Sequence, residues 1–295
     1  MSSIHPQMQA VLQKSSTLIP TFSYSETPLP EIRKLYAEER KFWNSEGPRL
    51  PAVFDTQVKG PLGNIQIRIY HPDPENTLPA LVYLHGGGFV VGSNDTHDRI
   101  MRELAFRSGC AVVGVEYSLS PEQKFPVAIE ETLSVLKWLK HDLPRKDNPA
   151  FNIDPERVVL GGDSAGASLS MGAALSFKNN LSGLLLIYGW FGLRDSCSSR
   201  LFGGAEDGLS EENRAFYQDA YLRSPEDLSD PKMDILNAEL QGLPSSCLIV
   251  SDMDPLLDDS KALTPPQRER ANAAARHHGL AVGVGHADPE EIDDI

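Results

Sequence analysis

Apolar positions along the chain fall into two kinds of pattern. Residues 53–58 and 65–70 flank a Pro-Leu-Gly-Asn turn, and isoleucines alternate with polar residues in the second arm, which predicts a β-hairpin. Largely apolar runs, which are typical of strands buried on both faces, follow at 79–84, 111–115, 157–162, 183–188 and 246–250.

Helical spacing of apolar residues separates these runs. It predicts helices at 98–107 and 127–140, another directly after residue 164, and a further one at 211–222. Strands that alternate with helices predict an α/β fold with a mostly parallel, doubly wound central sheet flanked by helices. Residues 190–240 interrupt this rhythm, and we interpret them as an excursion over the edge of the sheet.

The first 45 residues show no strand-like alternation. A helix from Glu31 to Trp43 has one face of aliphatic and aromatic residues, which we expect to pack against another part of the protein. Two interpretations stay open: a helix packed on the domain, or part of a cap over a substrate pocket. We therefore predict an N-terminal helical cap segment over 1–45 and one core domain over 46–295.

Composition restricts the partners and the compartment. The 295 residues are enough for one large α/β domain, and the formal charge of −14 argues against nucleic acid or an anionic membrane as partner. Cys110, Cys197 and Cys247 show no paired spacing, so we expect reduced, mostly buried thiols. With no apolar leader and no membrane-spanning run, a cytoplasmic location is expected.

The strand at 157–162 runs into a Gly-Asp-Ser-Ala-Gly stretch centred on Ser164. Small residues two before and two after this serine permit a sharp strand-to-helix turn, which would present the hydroxyl as a nucleophile. The competing interpretation is a serine that caps the following helix.

The run at 79–84 ends in a second glycine-rich stretch, His85-Gly86-Gly87-Gly88. Backbone amides of such a loop can stabilise the oxyanion that forms during ester hydrolysis. A phosphate-binding loop is the alternative, but no Gly-Lys-Ser/Thr follows.

Together with Asp254-Pro-Leu-Leu-Asp-Asp259, these motifs resemble the hormone-sensitive-lipase-like branch of the α/β-hydrolases over residues 30–263. Within that branch, further stretches at 96–102, 125–131 and 188–196 are similar to the acetyl esterases of enteric bacteria. The resemblance implies an α/β-hydrolase fold with a helical cap.

The resemblance also implies roles for individual residues. Ser164 is the expected nucleophile and Asp254 the acid that orients a histidine. The amides of Gly87, Gly88 and Ala165 are the expected oxyanion hole, in a loop shaped by His85 and Gly86. On chemistry alone Asp252, Asp258 and Asp259 compete with Asp254, although the last two also suit the N-terminus of a helix.

The order Ser, Asp, His requires the histidine after Asp254, which leaves His277, His278 and His286. His286 is predicted, because it follows an apolar run at 280–284, whereas the other two end a predicted helix. The chain from about 264 departs from the family pattern and ends early, without an aromatic residue after Tyr221. Surface or loop roles are expected for His5, His71, His97 and His141.

The predicted function is a serine carboxylesterase for short acyl, acetyl-type esters, acting on a small-molecule ester without cofactor or metal. The alternatives are a catalytically impaired binding or regulatory protein on the same scaffold, and an amidase. The atypical C-terminal end admits association as a homodimer. The family resemblance adds the expectation of a protein partner from the control of sugar utilisation.

Overall fold

A seven-stranded sheet organises the part of the chain described by the structure, a computed structural model covering residues 5–143, 151–204 and 208–263. The strand order is β1-β2-β4-β3-β5-β6-β7. The strands are β1 (Ala52–Lys59), β2 (Asn64–His71), β3 (Leu78–Leu84), β4 (Ala111–Glu116), β5 (Ile153–Asp163), β6 (Gly183–Ile187) and β7 (Ser246–Ile249).

Strands β3 to β7 run parallel, and the β1–β2 hairpin joins the sheet through an antiparallel pairing of β2 with β4. All seven strands coincide with the predicted runs. Because parallel strands need crossover connections, helices return the chain across both faces of the sheet. The predicted mostly parallel α/β architecture is therefore confirmed.

The helices follow the predicted periodicity, with three differences, one of them the short helix Cys197–Phe202, which no pattern predicted. They are α1 (Pro6–Leu18), α2 (Leu29–Trp43), α3 (Asp98–Ser108), α4 (Val127–Lys137), α5 (Ala165–Phe177), α6 (Cys197–Phe202) and α7 (Glu211–Tyr221). Helix α4 ends at Lys137, and a π-helical turn from Trp138 to Asp142 continues it. Helix α1 was not predicted, because it buries no residue and so carries no marked apolar stripe.

Helices α4 and α5 cover one face of the sheet and α3 covers the other. Eleven of the residues of α5 are buried, so this helix is apolar or small on nearly every side, as expected for a core helix. Helix α5 begins directly after Ser164. The nucleophile candidate is therefore attached to the most deeply buried helix of the described chain.

The N-terminal segment (residues 5–47) packs on the long connection between β6 and β7 (residues 188–245). The Tyr217 hydroxyl of α7 donates to the Tyr24 hydroxyl at 2.8 Å, and the two rings meet edge to face. Arg33 of α2 donates to the Val90 carbonyl at 2.9 Å and pairs with Glu122 at 2.7 Å. The N-terminal segment thus holds both α7 and the loop that follows β3.

Two expectations about the cysteines have different outcomes. The thiols are free, as expected, but the expectation that they are mostly buried is wrong: Cys197 and Cys247 are exposed and Cys110 is half-buried. Cys197 begins the surface helix α6. Cys247 lies on β7, whose alternate residues are exposed. Within the described ranges, no helix is long and apolar enough to cross a membrane.

Candidate active site

Ser164 occupies a strained turn between β5 and α5. Its φ and ψ are 53° and −120°, in the left-handed half of backbone space that side chains other than glycine rarely occupy. The Ser164 amide donates to the Ile187 carbonyl of β6 at 2.8 Å, which ties the turn to the neighbouring strand. The hydroxyl makes no capping bond to α5, so the capping interpretation is wrong. The side chain is instead partly exposed in a cavity.

The glycines around Ser164 are required by the neighbouring strand. A Cβ atom built on Gly162 or on Gly166 would overlap the backbone carbonyl oxygen of Leu84, at the end of β3. Backbone atoms cannot rotate away as a flexible side chain can. The G-x-S-x-G spacing therefore records the close approach of β3 to both sides of the turn.

The glycine loop after β3 bends back on itself. The amides of Val90 and Val91 both donate to the Gly87 carbonyl at 3.0 Å. Gly87 and Gly88 have φ of 124° and 59°, and Phe89 follows with φ of 67°. Glycine adopts such φ values more readily than other residues, and the run turns successive amides, as in an anion-binding loop.

Only part of the predicted oxyanion set borders the cavity. Gly88 and Ala165 line it together with Ser164, whereas His85 and Gly86 are buried in the loop and Gly87, half-buried, directly precedes Gly88. A Cβ atom on Gly88 would overlap the Tyr217 ring. The connection between β6 and β7 therefore packs directly on the loop.

Asp163 anchors the loop from below. This buried carboxylate accepts from the Tyr83 hydroxyl at 2.8 Å and from the Gly86 amide at 3.0 Å, and it lies 3.5 Å from the His97 ring. Burial alone would raise the pKa of Asp163, but the charge and hydrogen bond of His97 and the bond from Tyr83 outweigh it and lower that pKa. Asp163 is therefore ionised at neutral pH.

His85 completes this buried network. Its ring stacks on Tyr117 at 4.3 Å and on His97 at 5.3 Å, and its Nδ1 lies 2.8 Å from the Gly86 carbonyl. Burial, with the nearby charge of His97, lowers the pKa of His85 to about 3, so the ring is neutral. Sequence reasoning missed the network, although the acidic residue inside Gly-Asp-Ser was a signal for it.

The expectation of surface or loop roles is wrong for His71, which ends a strand, whereas His97 does lie in a turn but is buried there. His97 is buried against Asp163, and His71 is buried at the end of β2, with its Nε2 3.0 Å from the Asn152 carbonyl. Their partners lie far along the chain, so local sequence does not reveal them. His5 and His141 are exposed.

Asp254 lies in the turn after β7, at the carboxyl end of the sheet. Its Oδ1 accepts from the Leu256 amide at 2.7 Å. Burial raises the pKa of Asp254, while that hydrogen bond and the charge of Arg214 oppose the rise. Asp254 is half-buried, and the next residue, Pro255, lines the cavity.

Two of the competing aspartates accept hydrogen bonds from backbone amides of the connection between β6 and β7. Asp258 accepts from the Ser198 amide at 2.8 Å, and Asp259 accepts from the amides of Phe191 at 2.8 Å and Leu193 at 3.0 Å. Both carboxylates thereby hold the connection between β6 and β7 in place. Burial raises the pKa of Asp259 to about 7. Asp252 is exposed.

His286 lies outside the described residues, as do His277, His278 and the divergent end from about 264. The prediction of His286 as the base therefore stays a prediction. In the described ranges, no group of three or more metal-binding side chains could hold an ion.

A cavity of about 570 Å³ opens above Ser164. Such a volume suits a drug-sized molecule. Its floor is formed by the turn and the glycine loop, and most of its remaining wall by the connection between β6 and β7. The side chains on that wall include Trp190, Leu193, Arg194, Asp195, Ser199, Arg200, Leu209, Glu211, Arg214, Tyr217 and Gln218.

A nucleophile turn on a parallel sheet, facing a glycine loop, defines the α/β-hydrolase class. The alpha/beta hydrolase fold family model matches residues 81–286, and the chain belongs to that family. Among its relatives, the acetyl esterase of Salmonella choleraesuis is 40% identical over 264 residues, covering 87% of this chain and 79% of that protein. The acetyl esterase of Salmonella typhi is 42% identical over 238 residues, covering 78% of this chain and 72% of that protein.

Solved structures agree with this assignment. A hyperthermophilic esterase from the archaeon Pyrobaculum calidifontis has a TM-score of 0.83 at 30% identity, covering 91% of this chain and 86% of that chain. A thermophilic carboxylesterase cloned from a metagenomic library has a TM-score of 0.78 at 32% identity, covering 84% and 85%. The predicted α/β-hydrolase fold is therefore confirmed.

Proposed function

We propose that the chain is a serine carboxylesterase that hydrolyses short-chain, acetyl-type esters through an acyl-enzyme. The observation that carries this is the partly exposed, strained Ser164 in one cavity with Gly88 and Ala165. Relatives named acetyl esterase, and structural neighbours named esterase, support the same reaction.

In this proposal the Ser164 hydroxyl attacks the ester carbonyl carbon while His286 takes its proton. The amides of Gly87, Gly88 and Ala165 stabilise the oxyanion, and Ala165 begins α5, where the helix dipole adds positive potential. His286 returns the proton to the departing alcohol. A water molecule, deprotonated by His286, then releases the acid, while Asp254 orients the imidazole and stabilises its charge.

The wall beside Ser164 supports a short acyl group. Phe89 and Trp190 border the cavity there, and Phe89 stacks on Tyr221 at 3.9 Å. Behind them Ile129 and Leu169 fill the space, leaving no room for a water molecule. A long acyl chain would have to displace this packing, which costs about 1–3 kcal/mol or more.

The N-terminal segment and the connection between β6 and β7 together act as the cap in this proposal. Their contacts through Tyr24 and Tyr217 support a joint role. Self-association as a homodimer, and a protein partner from the control of sugar utilisation, are separate proposals. Light scattering of the purified chain tests the first, and binding to candidate partners the second.

The test of the nucleophile is hydrolysis of p-nitrophenyl acetate and labelling by a fluorophosphonate probe. Ser164→Ala should abolish both, whereas Ser134→Ala, on the exposed side of α4, should retain them. Hydrolysis that survives Ser164→Ala would refute the proposal. A chain that binds esters but never reacts with the probe would instead be the impaired scaffold protein.

The base is tested by comparing three histidine variants. His286→Ala should lower kcat by about 10³-fold or more, because the serine loses its activation. His277→Ala and His278→Ala are matched controls with little expected effect. If one of the controls is the inactive variant, the assignment of His286 is wrong.

A further inference from the structure

The cavity wall carries arginines in a chain whose formal charge is −14. Three arginines line it: Arg194, Arg200 and Arg214. Arg200 is paired with Asp195. Within the described ranges, neither Arg194 nor Arg214 has a carboxylate at ion-pair distance. Two guanidinium groups of the wall are thus available to a ligand.

Arg214 is held in position by its neighbours. Its Nη1 donates to the Ser199 hydroxyl at 2.6 Å, and its side chain is half-buried. A guanidinium has five N–H donors in a rigid fork, so most of its donors remain for a planar or tetrahedral anion. A held, half-buried arginine also loses less entropy on binding than a free surface chain.

Two further acidic groups line the cavity, Asp259 and Glu211. Asp259 accepts two backbone amides, and its pKa is raised to about 7, so its negative charge is weak near neutral pH. Glu211 is exposed in the first turn of α7, where the helix dipole stabilises it. Among the described residues that line the cavity, Arg194 and Arg214 are thus the cations that no carboxylate pairs with, whereas Arg200 is paired with Asp195.

We infer that the physiological substrate is a short acyl ester whose alcohol part carries an anionic group, a carboxylate or a phosphate, bound by Arg214 with help from Arg194. This inference rests on the proposed esterase function. An acetyl group leaves no place for an anion on the acyl side, so the anion belongs to the alcohol. The volume of about 570 Å³ is far larger than an acetyl group needs, and it accommodates such an alcohol.

The experiment compares 4-acetoxybenzoate with 4-acetoxybenzamide, which have nearly the same shape and differ in charge. Hydrolysis releases acetate and the phenol from each, and chromatography follows both products. The wild-type kcat/KM should favour the benzoate by about tenfold or more, as expected for one charge-assisted bidentate contact.

Arg214→Gln should bring the ratio of kcat/KM for the benzoate to that for the benzamide close to one. Arg194→Gln should lower this ratio less, and Arg214→Lys should retain part of the preference for the benzoate. Because the charge of Arg214 also acts on Asp254, its loss changes the turnover of both esters together, and the ratio is the readout. Arg107→Gln on α3, where Arg107 pairs with Glu103, is the control with an unchanged ratio.

The inference is overturned if the wild type hydrolyses the benzoate no better than the benzamide, or if Arg214→Gln keeps the preference for the benzoate. Arg214 would then act only on the neighbouring acids, Asp254 and Asp259. The carboxylate and phosphate forms are separated by repeating the comparison with 4-acetoxyphenyl phosphate. Failure of the esterase proposal looks different. In that case the wild type hydrolyses neither ester, or Ser164→Ala hydrolyses both.

Discussion

Replacing Gly88 by alanine should displace the loop and with it the Gly88 amide, and so lower esterase activity by about 10²–10³-fold, the usual cost of losing one oxyanion donor. Gly88 has φ of 59°, and its Cβ position overlaps the Tyr217 ring, with Cε1 at 2.5 Å. Alanine at this φ costs about 1–2 kcal/mol. The overlap adds about 1–3 kcal/mol as overpacking, so the unfolding free energy should fall by about 2–5 kcal/mol.

A second substitution separates the two contributions. Tyr217→Ala removes all the ring atoms that the new Cβ would meet. In the double variant the overlap disappears but the strain of the left-handed backbone remains. A double-mutant cycle in urea unfolding should therefore give a favourable coupling of about 1–3 kcal/mol, and activity should partly return.

Gly109 provides the matched control. It ends α3 with φ of 68°, and a Cβ built on it meets no atom within 4 Å. Gly109→Ala should therefore show the backbone strain alone, about 1–2 kcal/mol, with activity unchanged. The reasoning fails if Gly88→Ala costs no more than Gly109→Ala, or if Tyr217→Ala gives it no relief.

The remaining predictions concern the acids and the turn. Because the pKa of Asp259 is raised from 3.8 to about 7, its contribution to stability is greatest below about pH 4 and is lost as the pH rises through 7. Asp259→Asn should flatten this pH dependence of the unfolding free energy by up to about 4 kcal/mol, measured in urea at several pH values; an unchanged slope contradicts it. Gly166→Ala should cost about 3 kcal/mol, seen in thermal unfolding, because its Cβ meets the Leu84 carbonyl; a melting temperature equal to that of the wild type excludes this. Asp163→Asn should lower kcat by about tenfold with KM little changed, since its bond to the Gly86 amide positions the loop rather than the substrate; an equal rise in KM would argue against that role.

The sheet was predictable because buried parallel strands are apolar along their whole length. The five parallel strands coincide with apolar runs, the β1–β2 hairpin coincides with the alternating segments at 53–58 and 65–70, and the turn at Ser164 coincides with its flanking glycines. Helix α1 escaped detection because it buries nothing. The exposure of Cys197 and Cys247 escaped for a related reason: a cysteine is usually buried, and only the surface position of its element overrides that tendency.

The residues of the site also fall into those that local sequence predicts and those that it does not. Motif spacing brought Ser164, Gly88 and Ala165 to one cavity, because each follows the end of a strand. The contacts of Asp163 with His97 and Tyr83 depend on three-dimensional packing between distant segments, which no local pattern encodes. The arginines of the cavity wall belong to a connection whose path over the sheet is irregular, and for the same reason they were not predicted.

The hydrogen bond from Arg33 to the loop after β3 limits how far the chain can be shortened from its N-terminus. Helix α1 buries no side chain, so a fusion tag joined ahead of it should disturb no core packing. A shortened version starting beyond residue 33 would instead free the Val90 carbonyl, remove the acceptor of Tyr217 and leave α7 without its neighbour. Crystallisation or immobilisation variants should accordingly keep everything from Phe22 onward.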